Sequence, residues 1–486
     1  MTALAERIDR ITKIDPSAPA LEYEGTWSTW GELDQLITAV SGHVRGPGHQ
    51  VGIILRNRPA HVGAVLGVLH AGGCVVTINP NRGLERTRDD ITDLDLDLII
   101  GTGTDLADLV VTPRSTLAIG LLTDAPTRTD HTTAIGGSSP LPGVAVRMLT
   151  SGTTGPPKRI ELTYRTLERV LVDAKHYERN KAADLRLRSG VVIVNSPLVH
   201  LGGLFRILQC VNDGRAFCLL ERFSVNGWYE AVKRHRPKTV SLVPAALRMV
   251  LEADLDPAEL SSIRSVISGT APLAPEDADA FFGRYGIPVL VSYAATEFGG
   301  GVAGWNLADH EKYWSTKRGS VGRAHAGTDL RVVSEADGTV LGPGEPGLLE
   351  VKAGQLGGRD WLRTTDLATI DPDGFLWIHG RADQAIIRGG FKVLPDEVRR
   401  ALELHPDVRG ATVVGRPDAR LGMVPVAAVE LRDGTADEAA LVAHAQGLLA
   451  PYEVPVEIRV LDQLPRTDSG KVDLTAIAEI LATQEP

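Results

Sequence analysis

The chain has little cysteine, and what it has is badly placed for cross-linking. Cys74, Cys210 and Cys218 are odd in number and include no C-x-x-C pair, which excludes a disulfide framework and argues against a zinc site. A reducing cytosol is the expected setting. No apolar run is long enough to cross a bilayer. Met1 to Asp15 is amphipathic and charge-rich, without the apolar core of a signal peptide. There is no basic excess either: the net charge of −10 excludes bulk binding to nucleic acid or to an anionic membrane. Internal repeats and low-complexity blocks are also missing. What remains is 486 residues with 43% apolar content, enough for two or three packed domains.

The first half alternates short apolar runs with helical spacing. Val51 to Leu55, Cys74 to Ile78, Leu98 to Ile100 and Val191 to Val194 read as buried strands, and Pro59 to His70 as a helix stopped by Gly72-Gly73. Strands alternating with helices imply parallel sheets covered on both faces. Thr123 to Pro142 is polar and turn-rich and reads as a surface connection. After Val340 the texture changes. Asp371-Pro372-Asp373-Gly374 places proline and glycine for a tight turn between antiparallel strands Asp366 to Ile370 and Phe375 to His379. Beyond Gly380 a small α+β unit is expected: helices from Pro395 to Leu404, Ala436 to Leu449 and Leu474 to Ala482, and strands Ala411 to Gly415, Val424 to Leu431 and Glu457 to Leu461.

Directly after the largely apolar run Val144 to Leu149 stands Ser151-Gly152-Thr153-Thr154-Gly155-Pro156-Pro157-Lys158. Glycine lets backbone N–H groups approach oxygens, hydroxyls add donors and Lys158 adds charge, so the loop suits an anion such as triphosphate. It is not a Walker A loop, because Pro157 falls where the second glycine would stand and no hydroxyl follows the lysine. A polar hairpin turn is the plainer reading.

Further segments share one pattern: Pro197-Leu198-Val199-His200-Leu201-Gly202-Gly203, Tyr293-Ala294-Ala295-Thr296-Glu297, Thr364-Thr365-Asp366, Gly380-Arg381-Ala382-Asp383 and Leu464-Pro465-Arg466-Thr467-Asp468-Ser469-Gly470-Lys471. With the loop at Ser151 they make the chain resemble, over nearly its whole length, the adenylate-forming (ANL) superfamily of acyl-CoA ligases, luciferases and peptide-synthetase adenylation domains. The resemblance implies an α/β fold. A large N-terminal body, residues 1–382, would contain two α/β subdomains and a distorted β-barrel; a small mobile α+β domain, residues 383–486, would rotate about Asp383. It also implies two steps: a carboxylate attacks the α-phosphorus of ATP to give acyl-AMP, and a thiol, commonly that of coenzyme A, then displaces AMP.

Carried over residue by residue, the resemblance implies that Ser151, Thr153, Thr154 and Lys158 hold phosphates, that Thr296 touches the α-phosphate and that Glu297 holds Mg²⁺. Tyr293 would stack on adenine against Gly269, Thr270 and Ala271; Asp366 would accept the ribose hydroxyls with help from Arg381. Lys471 would bridge the carboxylate and the α-phosphate. His200 stands near the place where amino-acid-activating relatives carry an aspartate, so the substrate is expected to be a hydrophobic acid without an α-amino group. His200 is assigned to the acyl pocket or the thiol tunnel and Val243 to the acyl pocket, and Gly299, Gly300 and Gly301 are read as leaving space beside it, or as a sharp turn. The basic run Lys233 to Arg236 is read as a solvated helix end, with the phosphates of CoA as the other reading.

Three positions depart from the pattern, where the family has glycine: Arg159, Ala294 and Thr365. Arg159 beside Lys158 would either clamp phosphates or fill their place, and Thr365 adds a β-branched side chain near the ribose. Two readings therefore stand: a complete acyl-CoA ligase, and one whose adenylation step is impaired so that it acts mainly on acyl-AMP. A ligase loading a carrier protein's phosphopantetheine thiol and a catalytically silent nucleotide-binding regulator are the alternatives. The expected partners are the acid, ATP or acyl-AMP, Mg²⁺ and coenzyme A, with a second copy of the chain and a separate adenylating enzyme left open.

Overall fold

The computed structural model describes residues 2–130, 138–149, 158–173, 185–432, 436–467 and 470–482. Strands Leu98–Gly101, Gln50–Ile54, Cys74–Ile78 and Val144–Leu149 run parallel through the middle of a seven-stranded sheet whose edge strands, Thr127–Thr129 and Arg159–Thr163, are antiparallel. Gln50–Ile54 and Cys74–Ile78 are buried at every position. Val51, Ile53 and Val75 face the main core, while Ile54, Cys74 and Val76 face a second core on the other side. Two covered faces explain why these strands read as unbroken apolar runs. Helix Pro59–His70 begins with proline and is buried from Ala60 to Leu69. Helix Trp30–Ser41 packs on it, started by a capping box between Thr29 and Glu32.

A second sheet orders Thr239–Ser241, Ser265–Ser268 and Val289–Ala295 in parallel, then Gly300–Gly304 and Arg323–Ala324 antiparallel. Arg188–Val194, Arg215–Leu219, Pro19–Tyr23 and Thr26–Thr29 form a smaller one. The antiparallel strands Thr328–Val333, Gly347–Ala353, Leu362–Ile370 and Leu376–Arg381 make a fourth. Its last turn is held by the Asp371 carboxylate, which accepts the N–H groups of Asp373 and Phe375 at 2.9 Å each, with Gly374 at φ +82°.

The C-terminal unit is built on Phe391–Val393, Ile386–Arg388, Gly422–Leu431 and Val408–Asp418, with Ile458–Leu461 beside Gly422–Leu431. It has cores of its own, one around Val398, Val413 and Leu441 and one around Val426, Ile477 and Leu481. Arg409–Glu252 at 2.9 Å and Lys392–Glu335 at 2.7 Å tie it to the body.

Some boundaries differ from expectation. The stretch read as a surface connection contains strand Thr127–Thr129, paired with Ser115–Ala118; an exposed polar edge strand has no apolar signature. Val408–Asp418 is longer than its apolar centre because pairing with Gly422–Leu431 continues to its end. Helix Glu438–Gln446 is shorter than expected, since the Asp437 side chain caps it by accepting the Ala440 N–H at 2.9 Å and Gly447 follows it.

Candidate active site

Strand Val289–Ala295 leaves its sheet into a single 3₁₀ turn, Thr296–Phe298, and returns as Gly300–Gly304 through Gly299 at φ +71°. This hairpin sets Tyr293 on the strand and leaves Glu297 exposed at the turn. Beside it, Gly269, Thr270 and Ala271 follow strand Ser265–Ser268. Thr270 has φ +70°, a strained conformation for a β-branched residue.

The Tyr293 hydroxyl donates a short hydrogen bond to Asp366 Oδ2. Burial pushes the Asp366 carboxyl up from its ordinary value, opposed by the Tyr293 bond and by Arg381. Burial, followed by the Asp366 charge, pushes the tyrosine up as well. Asp366 and Arg381 are cross-strand partners. The Arg381 guanidinium donates to Thr365 Oγ1 at 3.1 Å and to Asp383 at 2.9 Å and 2.6 Å. Thr365, one of the departures from the family pattern, thus helps hold Arg381.

Lys471 arrives from the C-terminal unit. Its loop is closed by the Thr467 N–H donating to Lys471 O at 2.7 Å, and a Cβ on Gly470 would stand 3.5 Å from Val243 Cγ2. Burial pushes the Lys471 ammonium down, the Glu297 charge raises it and Arg381 lowers it further, so the lysine sits among these groups. The turn at Glu297, the Tyr293–Asp366 pair, Arg381 and Lys471 therefore converge from distant parts of the chain. Glu297 offers an exposed hard oxygen ligand that would suit Mg²⁺.

Ser151, Thr153 and Thr154 lie outside the described residues. Lys158 is exposed at the start of strand Arg159–Thr163. Arg159 lies largely out of water. Its side chain is only 10% exposed; Nη1 donates to Thr77 O at 2.9 Å and Nη2 pairs with Asp90 at 2.6 Å. Its charge is matched by a carboxylate of the neighbouring helix Leu84–Asp93, which supports a structural role for the guanidinium. Of the two readings of the glycine run, space or a sharp turn, the backbone takes the turn, with Gly299 at φ +71°. A Cβ would lie 2.6 Å from Thr166 Cγ2 at Gly299, 3.3 Å from Val170 Cγ1 at Gly300 and 3.1 Å from His325 Cε1 at Gly301. Those side chains fill the room that the missing ones leave. Thr166, Val170 and His325 were not legible as neighbours of the site, because each is separated from the glycines in sequence and carries no motif.

His200 caps helix Leu201–Asp213 at its N-terminus with extended backbone, φ −107° and ψ 153°. The basic run is a helix end: Lys233 pairs with Glu230 at 2.8 Å, while Arg234, at 2.8 Å, and His235 both bind Glu22. Glu22, Cys218 and His235 are the one group of potential metal ligands drawn together among the described residues. Arg234 and His235 both contact Glu22, and the Arg234 charge opposes a metal ion there.

The family model of AMP-binding enzymes matches residues 8–357, and that of the AMP-binding enzyme C-terminal domain matches residues 397–471. Indoleacetate–CoA ligase of Aromatoleum aromaticum is 31% identical over 350 residues, 68% of this chain and 66% of that protein's length. Feruloyl-CoA synthase of an Amycolatopsis species is 29% identical over 95% of this chain and 96% of its own. The structure of o-succinylbenzoate coenzyme A synthetase from Bacillus subtilis, in complex with ATP and magnesium ion, superposes with a TM-score of 0.79 at 26% identity, covering 96% of this chain and 98% of the other.

Proposed function

The chain belongs to the AMP-binding enzyme family, and from that premise we propose that it is an acid–thiol ligase, an AMP-forming acyl-CoA synthetase. It joins a carboxylic acid without an α-amino group to coenzyme A through acyl-AMP. In the first step a carboxylate oxygen bonds the α-phosphorus as the bond to the β-phosphate oxygen breaks and pyrophosphate leaves. In the second the CoA thiol loses its proton and bonds the acyl carbon, and AMP leaves.

The observation that carries this reading is the position of Lys471, half-buried beside Glu297 and Arg381 although it comes from the C-terminal unit. Two anions must meet in the first step, and a lysine between them lowers the cost of their approach. Tyr293 and the Gly269–Ala271 backbone hold adenine, Asp366 and Arg381 hold ribose, and Thr296 with Lys158 and the loop at Ser151, Thr153 and Thr154 hold the phosphates. Magnesium bound at Glu297 supplies further charge neutralisation to the phosphates. The second step needs Lys471 withdrawn, and residues 383–486 turn about Asp383 to withdraw it.

The complete reaction is favoured over an impaired first step. The departure most damaging to adenylation was Arg159, and its guanidinium is spent on Asp90 and Thr77. Acid-dependent exchange of pyrophosphate into ATP, run beside CoA-thioester formation from the same acid, tests this. Thioester formation from premade acyl-AMP without any exchange would restore the impaired reading. Transfer to a holo-carrier protein but not to free CoA would favour the carrier-loading one.

A further inference from the structure

Helix Leu201–Asp213 carries two charged residues, Arg206 and Asp213, and the reaction so far uses neither. Its buried side is apolar: Leu204, Ile207, Leu208 and Val211 enter the main core. The side bearing Gly202, Phe205, Arg206 and Gln209 is only partly covered. Gly202 and Arg206 are four residues apart, so they share a face one turn apart. A Cβ placed on Gly202 meets nothing within 4 Å, so this face opens onto space there. Long side chains on a helix tend to lean toward its N-terminus, so an Arg206 released from Gln209 can reach back over Gly202 toward His200.

Arg206 meets no carboxylate among the described residues. Its Nη1 donates to Gln209 Oε1 at 3.0 Å. The ionisable group beside it is the Cys210 thiol, which burial pushes up to about 12 and so keeps neutral. Three partly buried arginines of the body are matched: Arg56 by Asp105, Arg159 by Asp90 and Arg248 by Asp277, each at 2.6 Å. Burial also pushes the Arg206 guanidinium down from its ordinary value. This helix follows His200, which is assigned from sequence to the acyl pocket or the thiol tunnel. It packs against helix Tyr164–Asp173, whose Thr166 and Val170 abut Gly299 and Gly300 just after Glu297.

We propose that Arg206 makes this enzyme selective for acids that carry a second anionic group, a carboxylate or sulfonate, at the end remote from the reacting carboxylate. The proposal rests on the acyl-CoA synthetase reading and replaces the hydrophobic acid expected from sequence. A guanidinium fork matches the paired oxygens of either group in two parallel hydrogen bonds, and a bound anion supplies a charge that the described residues do not.

The test compares matched acids on the unaltered enzyme: phenylpropanoate with its para-carboxy and para-sulfo derivatives, and straight-chain monoacids with diacids of the same length. Thioester formation and ATP–pyrophosphate exchange are both read. At least one doubly charged acid should exceed its neutral partner in kcat/KM on the order of 30-fold or more, and the better of carboxylate and sulfonate identifies the anion. Arg206→Met should abolish that preference while leaving the neutral acid as good or better, and Arg206→Lys should keep part of it. Equal use of neutral and charged acids by the unaltered enzyme overturns the proposal even if the Arg206→Met protein fails to fold. So does an Arg206→Met enzyme that loses both classes alike, which marks a structural role. Exchange with no preference removes this proposal alone; no exchange with any acid removes the synthetase reading as well.

Discussion

Asp366 and Arg381 face each other across two antiparallel strands, yet each bonds elsewhere: Asp366 accepts from Tyr293, and Arg381 donates to Asp383. The proposed ribose carboxylate is thereby coupled to the proposed adenine wall, and the arginine to the residue about which the C-terminal unit is proposed to turn. One pair of strands carries both.

The Tyr293 hydroxyl holds the Asp366 pKa down against burial. Tyr293→Phe therefore raises that pKa, and the carboxylate takes up its proton at higher pH. The acid limb of kcat/KM for ATP should move toward neutrality, with an increase of about 3- to 10-fold in KM for ATP, the size of one hydrogen bond. KM for CoA should stay within about twofold, because ordinary surface-remote changes remain that small. An unmoved acid limb contradicts the coupling.

Lys471 is held down by burial and by Arg381, and held up by Glu297. If adenylation needs the ammonium, its rate falls as pH rises through a pKa below that of an ordinary lysine. Glu297→Gln removes the group that raises it, so the alkaline limb of the exchange reaction should move to still lower pH. A pH–rate profile of ATP–pyrophosphate exchange in saturating magnesium reads this shift. A limb that stays put, or rises, contradicts the placement of Glu297 beside Lys471.

Asp90→Asn leaves the Arg159 guanidinium, 10% exposed, without its counter-charge. Breaking a buried pair in this way costs about 3–5 kcal/mol, a loss that urea denaturation would show as a lower midpoint. Arg159→Gly is expected to cost stability without raising ATP–pyrophosphate exchange. Faster exchange by Arg159→Gly contradicts the assignment of Arg159 to structure.

Gly299→Ala places a methyl group 2.6 Å from Thr166 Cγ2 on backbone at φ +71°. The backbone term alone is about 1 kcal/mol or more, and the clash adds to it. Thr166→Ser removes the obstructing methyl but keeps the hydroxyl that pairs with Thr163 at 2.8 Å, so it should recover the steric part only. Thermal unfolding of the two single variants and the double variant separates the terms. Full additivity would show that the methyl groups do not meet.

Much of this architecture could be read from the chain. Helix Pro59–His70 and strand Cys74–Ile78 appear at their expected bounds because Pro59 and Gly72-Gly73 punctuate them and burial on both sides leaves no polar interruption. Strand Gly300–Gly304 was not legible, since a glycine-rich run carries no apolar alternation; its pairing with Val289–Ala295 places it. The candidate site residues stand in recognisable motifs, but their partners do not. Asp90 lies 69 residues from Arg159, and its carboxylate decides whether that arginine acts on phosphate or on the fold. His325 meets Gly301 through a contact that no local pattern announces. Long-range pairings set the electrostatics of the site, and residue order alone does not state them.

The central claim is that the lysine delivered by the C-terminal unit drives acid activation and is dispensable for handing the acyl group to sulfur. Lys471→Ala should be measured in both half-reactions on one preparation: acid-dependent ATP–pyrophosphate exchange, and thioester formation from premade acyl-AMP and CoA. Exchange should fall on the order of 10²–10³-fold, the loss seen when one aimed donor is removed, while thioester formation stays within about threefold. Exchange that survives the substitution, or an equal loss in both half-reactions, would contradict it.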